Sequence, residues 1–372
     1  LFMAVTARDR NAISVAGGPL GGALGLVLLI VAAGAGAGLA YLIASFEQGE
    51  SRPMVVLLSD GGHDHTALPP PGDALDAASH NPLTGSGPAG DGVKPLESAA
   101  GALPPVPDPA LVKVGRNGPL PIIGPDGRRP REVYARPFDM TDTRPRIALV
   151  IGGLGLSRSM TEAAIKTLPA AVTFSFSPYG KDLQLLINEA RAAGHEVLLE
   201  MPMEPFDYPH NDPGPYTLLT QSDVEENLDK LDWLLSRFTG YAGVVSDQGD
   251  RLLSAPEDLK PILAALNNRG LYFIDHGNAK RSMVGTLATA NGMPWGTSLS
   301  TIDKGASRAG IDLRLLQLEE AAREKGAAIG TGEAYPVTIE RIKAWADSLD
   351  AKGIVIAPIS AAIATPAKQP SQ

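Results

Sequence analysis

The stretch that decides the fold is Arg146–Met160, "RIALVIGGLGLSRSM". Behind Arg146, Ile147–Ile151 form an apolar run of strand length. The run breaks at Gly152-Gly153-Leu154-Gly155 and restarts as a helix behind Ser157 and Ser159. A short apolar run bounded by glycines fits a strand buried on both faces, the kind found in parallel sheets covered by helices. Loops at the carboxyl ends of such strands are where α/β proteins place their chemistry. Yet this bend carries no charged group, no hydroxyl and no imidazole.

Outward from this stretch the same texture repeats. "VTFSF" (172–176), "EVLLEM" (196–201), "AGVVS" (242–246), "LYFID" (271–275), "AAIG" (327–330) and "GIVIAP" (353–358) read as further strands. Between them lie amphipathic runs. Val224, Leu228, Leu231, Leu234, Leu235 and Phe238 recur at helical spacing and define one apolar face. Ser159 with Glu162, Ser222 with Glu225 and Ser254 with Glu257 have the capping-box spacing of helix starts. "RAAG-HEVLLE", "NNRG-LYFID", "REKG-AAIG" and "DAKG-IVIAP" each place a glycine behind the last helical turn and a strand directly after it. Glycine takes the left-handed helix-ending conformation at little cost. Repeated strand-loop-helix-glycine units imply parallel strands with crossover helices. The expected fold is therefore α/β, a distorted (β/α) barrel of about seven parallel strands. An open doubly wound sheet is the alternative.

Residues 144–363 are taken as this domain, with 364–372 as a tail. What precedes it differs in kind. No Asp, Glu, Lys or Arg occurs between Arg10 and Glu47. "LGLVLLIVAAGAGAGLAYLIASF" (24–46) is long enough to cross a bilayer as a helix. Arg8 and Arg10 before it, and Glu47 and Glu50 after it, orient the chain with residues 1–19 cytoplasmic and the remainder exported. The expectation is a membrane anchor over 20–46, with a cleaved signal peptide as the rival. Residues 47–143 are rich in Pro, Gly, Ala and Asp and show no sustained period, which reads as a disordered linker. His63, Asp64 and His65 lie in it and are read as solvated. The net charge of -9 argues against a nucleic-acid partner. The absence of cysteine excludes disulfides, thiolate metal sites and a cysteine nucleophile.

Chemistry-bearing side chains collect at the strand ends. "LLEMPMEPFDYP" carries Glu200 and Glu204, "VVSDQGDR" carries Ser246, Asp247 and Asp250, the fifth strand ends in Asp275-His276, and "GTGEAYP" carries Glu333 and Tyr335. Converging carboxylates can hold a hard cation, work as an acid/base pair, or hydrogen-bond sugar hydroxyls. The bland reading is that each caps the next helix, Asp275 and Asp247 above all. His195 sits at the wrong end of its strand for a site, and His210 lies in a loop. No histidine-rich zinc spacing, dinucleotide fingerprint, Walker lysine or nucleophile elbow is present. An anion cradle built from the Gly152–Gly155 amides and Arg158 is a minor alternative.

"IALVIGGLGLS", "GHEVLLEMPMEPFDYPHNDPGPYTLLT", "GVVSDQGDRL", "RGLYFIDHGNAKRS" and "YPVTIERI" resemble the divergent polysaccharide deacetylase family of the carbohydrate esterases. The resemblance implies a distorted (β/α) barrel that removes acetyl groups from polysaccharides with a metal-bound water. It also locates departures. The family usually has an acidic pair where Gly152 and Gly153 stand. It has a histidine where Glu200 stands, Asn-His where Ser246-Asp247 stand, and a histidine near Glu333. The resemblance therefore implies a scaffold stripped of its usual metal ligands. A glycan or peptidoglycan partner follows, with no resident cofactor; a hard divalent cation held by carboxylates is the alternative. Glu200, Glu204, Asp247 and Glu333 are the catalytic candidates. Gly152, Gly153, Asp250, Asp275, His276 and Tyr335 are the ligand-binding candidates. The expected protein is a single-pass, membrane-anchored envelope protein whose domain faces the periplasm and binds glycan with a degenerate site. An active deacetylase using carboxylates is the rival.

Overall fold

The run at 146–154 is buried along nearly its whole length, as its composition requires. In the computed structural model, which describes residues 101–363, it is the hub of the main sheet. A small hairpin, β1 (Val112–Val114) and β2 (Pro119–Pro121), precedes it. The strands that follow are β3 (Arg146–Leu154), β4 (Thr173–Phe176), β5 (Val197–Met203), β6 (Gly243–Gln248), β7 (Tyr272–Asp275), β8 (Trp295–Thr297), β9 (Ser300–Thr301), β10 (Ala327–Glu333) and β11 (Val355–Ile356). The nine strands β3 to β11 form one sheet in the order β8-β7-β6-β5-β4-β3-β10-β9, with β11 also pairing β3, and every pairing is parallel.

Two of these strands, β8 and β9, are too short to declare themselves in the sequence, and they explain the curl. β8 pairs β7 at one end of the order and β9 pairs β10 at the other. Between them the Ser298 amide donates to Asp275 O at 2.9 Å, and the next amide, that of Leu299, donates to Ile329 O at 2.8 Å. Consecutive residues thus bond opposite edges, and the sheet curls into a distorted barrel. All four helix-ending glycines, Gly194, Gly270, Gly326 and Gly353, take positive φ as expected. The capping boxes do not form. The helix α2 (Arg158–Thr167), which follows a short α1 (Pro130–Val133), is capped by Ser157, while Ser222 and Ser254 bond Glu226 and Asp250 O instead. The Ser-x-x-Glu spacings sit one or two residues from the true caps.

The strands' alternation sorts their side chains. Ile147, Leu149 and Ile151 pack outward with the helices, while Ala148 and Val150 face the inside of the curl with Leu198, Val245, Ile274 and Ile329. This inner cluster also contains Leu111 (0% exposed) and Tyr134 (3%). The described part of the expected linker, 101–143, is therefore folded: it plugs the amino end of the curled sheet. The composition argument fails there because it assumed the segment had to supply its own core. Buried Arg191 clamps the plug, donating to Tyr134 O at 3.0 Å, Gly240 O at 3.2 Å and Pro104 O at 3.1 Å. The buried Glu196 carboxylate accepts from the Arg136 amide, Tyr272 Oη, the Ser360 amide and Ser360 Oγ, at 2.6–3.1 Å. His195 is a core residue, stacked on Phe174 at 3.8 Å, and burial holds it neutral with its pKa down to about 4.

Among the described residues no helix is long and apolar enough to cross a membrane. The expected anchor over 20–46, His63–His65 and the 364–372 tail lie outside the described residues.

Candidate functional site

Interior alternation carries on from the inner core to the carboxyl ends of the strands. After Ala148 and Val150 comes Gly152; after Leu198 comes Glu200; after Val245 comes Asp247; after Ile329 come Thr331 and Glu333. These residues line a cavity of about 210 Å³ with Ser175, Ser177, Tyr179, Ser246 and His276. Three of the four catalytic candidates thus converge from β5, β6 and β10.

The geometry around Gly152 and Gly153 answers the anomaly of the empty bend. The Gly153 amide donates to Glu200 Oε1 at 2.7 Å, and Ser175 Oγ donates to the same oxygen at 3.0 Å. A Cβ on Gly152 would lie 2.6 Å from Glu200 Oε1 and 3.5 Å from Glu333 Oε1. A Cβ on Gly153, whose φ is +70°, would lie 2.5 Å from Glu333 Oε2. The space beside the bend is filled by carboxylates reaching in from β5 and β10, and glycine is what lets them in. No hydrogen bond from any described residue reaches the Asp247 or Glu333 side chain, and both line the cavity.

Crowding and burial set the electrostatics. Burial pushes Glu200 well above the usual carboxylate range, and the charges of Glu333 and Asp247 add to it. Burial, then Asp303 and Asp247, push Glu333 up to about 7. Burial alone pushes Asp247 up to about 6. His276 is shifted down by burial, so it is neutral near pH 7. Among the described residues no lysine or arginine lines the cavity.

The other candidates sit elsewhere. Glu204 is buried outside the cavity, where it accepts from Thr220 Oγ1 at 2.7 Å and pairs with Arg251 at 3.1 Å. It ties the loop after β5 to the loop after β6. Its own amide joins Leu218 O at the point where Pro205 turns the chain. Asp275 is wholly buried and accepts from the Gly277 amide at 2.8 Å, a turn role. Asp250 lies outside the lining, and Tyr335, 45% exposed, is the residue from which the helix α8 (Pro336–Leu349) starts. The anion cradle is absent, since the Gly153 amide is taken by a carboxylate and Arg158 pairs with Glu162. The sequence reading missed Ser175, Ser177 and Tyr179 on and after β4, and Asp303, which accepts from the Glu333 amide at 2.7 Å and Thr338 Oγ1 at 2.8 Å. Serines after an apolar run carry no signal on their own, and Asp303 follows the unrecognised β9.

The residues do not fit the metal that the family resemblance implies. Among the described residues no three His, Asp or Glu side chains are grouped to hold an ion. The acidic pair is glycine, no imidazole replaces it, and Glu200 Oε1 is already committed to two donors.

What fold and site define is a curled parallel α/β domain with a hydroxyl- and carboxylate-lined pocket at its strand ends. A family model described as divergent polysaccharide deacetylase matches residues 149–363, and the chain belongs to that family. A solved structure of an uncharacterized protein from Agrobacterium tumefaciens C58 is 39% identical, covers 66% of this chain and 99% of that one, and superposes with a TM-score of 0.64. The uncharacterized protein YibQ of Escherichia coli K12 is 22% identical over 195 residues, 52% of this chain and 60% of that protein. An uncharacterized protein of Haemophilus influenzae is 23% identical over 199 residues, 54% of this chain and 70% of that protein. The chain therefore matches less than two thirds of the length of its Escherichia coli relative.

Proposed function

We propose that this domain recognises a glycan, of the peptidoglycan or exopolysaccharide kind, in the strand-end pocket, with the family's metal chemistry lost. The observation that carries the reading is the exchange at the bend: glycines where the family resemblance places acids, and Glu200 and Glu333 where it places imidazoles. Alternating hydroxyls and carboxylates suit sugar hydroxyls, which both donate and accept. The apolar stretch 24–46 then serves as a single-pass anchor in the cytoplasmic membrane. It places the domain in the periplasm or an equivalent envelope space, where such glycans occur.

One observation favours a second reading, an active hydrolase. Glu333 near pH 7 and Asp247 near pH 6 form a pair in which one carboxyl can give a proton while its neighbour accepts one. In an N-deacetylation, water would add to the acetyl carbonyl as one carboxylate takes its proton. The amine would then leave with a proton from the other, releasing acetate.

The deciding experiment incubates the full chain with acetylated peptidoglycan and chitin fragments and follows both binding and acetate. The proposed reading expects binding without acetate release. Acetate release that falls by orders of magnitude in Glu333→Gln would overturn it in favour of the hydrolase.

A further inference from the structure

The pocket that the glycan reading uses gathers more carboxyls than its own surroundings supply with donors or cations. Glu200, Asp247 and Glu333 face one cavity, and Asp303 stands directly behind Glu333. The nearby guanidiniums are committed: Arg251 to Glu204 and Arg158 to Glu162. His276 is neutral near pH 7. The charges that raise Glu200 and Glu333 most, after burial, are those of other carboxylates. Elsewhere the chain satisfies such groups. Glu196 has four donors, Glu204 an arginine and a threonine, and Glu319 the Trp345 indole, Lys352 and Arg323. At the cavity, the Asp247 and Glu333 side chains accept nothing from a described residue, and among these residues Glu200 finds donors for Oε1 alone.

A positive charge from a ligand would meet this demand, and its kind can be argued. A metal ion needs several oxygens at about 2.0–2.6 Å from one point, and no such grouping exists among the described residues. A guanidinium prefers a two-oxygen fork on one carboxylate. An ammonium has three donors and makes charge-assisted bonds of about 2.7–2.9 Å with looser geometry than metal coordination, so it can be shared among carboxyls too far apart to close on an ion. Ser175, Ser177 and Thr331 line the same cavity, and the lone pairs their present partners leave can accept from a polyhydroxylated body.

We propose that the pocket's ligand is a sugar unit bearing a free amine, seated with its ammonium among Glu200, Asp247 and Glu333 and its hydroxyls against Ser175, Ser177 and Thr331. This rests on the glycan reading and narrows it: the pocket receives glycan that has already lost its acetyl groups. The acetyl form has no charge to offer and adds a group that the 210 Å³ cavity must also accommodate.

The test titrates the full chain, by calorimetry, with the β-1,4-linked glucosamine tetrasaccharide and with its fully N-acetylated counterpart. The free-amine form is expected to bind at least about 10-fold tighter, a difference of about 1.4 kcal/mol. The difference should shrink in Asp247→Asn, which is expected to keep the fold because the Asp247 side chain accepts no hydrogen bond from a described residue. The chain is acidic overall, so unchanged amine affinity in Asp247→Asn would mean binding outside the pocket and would overturn the proposal. Equal or tighter binding of the acetylated form overturns it too, while leaving the glycan reading intact. Binding of neither sugar overturns both. Stoichiometric binding of Mn²⁺ or Ca²⁺ alone, lost in Asp247→Asn, assigns the charge to a metal and overturns the proposal.

Discussion

Just before β5 the Glu196 carboxylate accepts from four donors, two on each oxygen. Near the other end of the same strand Glu200 accepts from two donors, both on Oε1. The two residues lie four apart on the same face, and burial pushes both above the usual carboxylate range. Only their partners differ. At the amino end the chain surrounds its acid with donors and closes over it. At the carboxyl end it gathers three acids and supplies almost nothing. A displaced buried carboxylate is therefore no sign of function by itself; a displaced carboxylate whose second oxygen is unclaimed at a cavity is.

The largest effect expected from this contrast is on the closed end. A chain beginning at residue 144 lacks the plug. It exposes the inner core that Leu111 and Tyr134 cover, and it strips Arg191 of two carbonyls and Glu196 of one donor. Two large buried side chains contribute about 1.5–3 kcal/mol each, and each buried polar group left unpaired costs about 1–3 kcal/mol. The sum is of the order of a whole domain's stability. Urea unfolding should show no cooperative transition for this chain, against a single one for residues 101–372. Equal midpoints would mean that the plug is decoration.

Next in size is Glu196→Gln against Glu200→Gln. Glutamine at 196 sets an NH₂ against a donor at one of the two filled oxygens and should cost about 2–4 kcal/mol with pocket binding intact. Glutamine at 200 can turn its NH₂ toward the cavity, so stability should hold or rise while binding is lost. Opposite signs in a paired thermal melt support the contrast; two losses of equal size break it.

A pH series sharpens it further. Glu333 is raised from 4.5 to about 7 on folding, so the folded state holds its proton more tightly than the unfolded chain. Its contribution to stability is fully present below about pH 4.5 and is lost as the pH rises through about 7. Glu333→Gln should remove that loss and make the domain about 1–3 kcal/mol more stable at pH 8 than the parent, with little difference at pH 4. A variant no more stable at pH 8 than its parent would show that the carboxyl is not strained in the pocket.

How far this was legible in the sequence follows the same division. Parallel strands could be read from glycines that end helices directly before apolar runs, because left-handed caps are a local requirement. Glu200, Asp247 and Glu333 could be placed at strand ends for the same reason. Glu204 was misassigned because the turn at Pro205 takes it out of the strand's alternation, and sequence spacing cannot show that turn. The plug was invisible because its few apolar residues matter only against a core contributed by strands far along the chain. β8 and β9 were missed because they are very short, and with them went Asp303 and the reason the sheet curls.

The smallest effect tests whether the empty bend and the crowded acids form one device. Gly153 has φ +70°, so alanine there pays the left-handed penalty of about 1–2 kcal/mol. Its methyl would meet Glu333 Oε2 at 2.5 Å, the far end of a side chain that accepts no hydrogen bond and can swing away. The clash should therefore add little to the melting cost. Moving the Glu333 carboxylate out of the cluster should nevertheless weaken ligand binding by as much as Glu333→Gln does. Gly155→Ala has a similar backbone demand at φ +88° and meets Leu183 rather than an acid. It should lose stability without losing affinity among the molecules that remain folded. If Gly153→Ala and Gly155→Ala behave alike in both measurements, the glycine at the bend serves the turn alone, and the match between missing and added acids is coincidence.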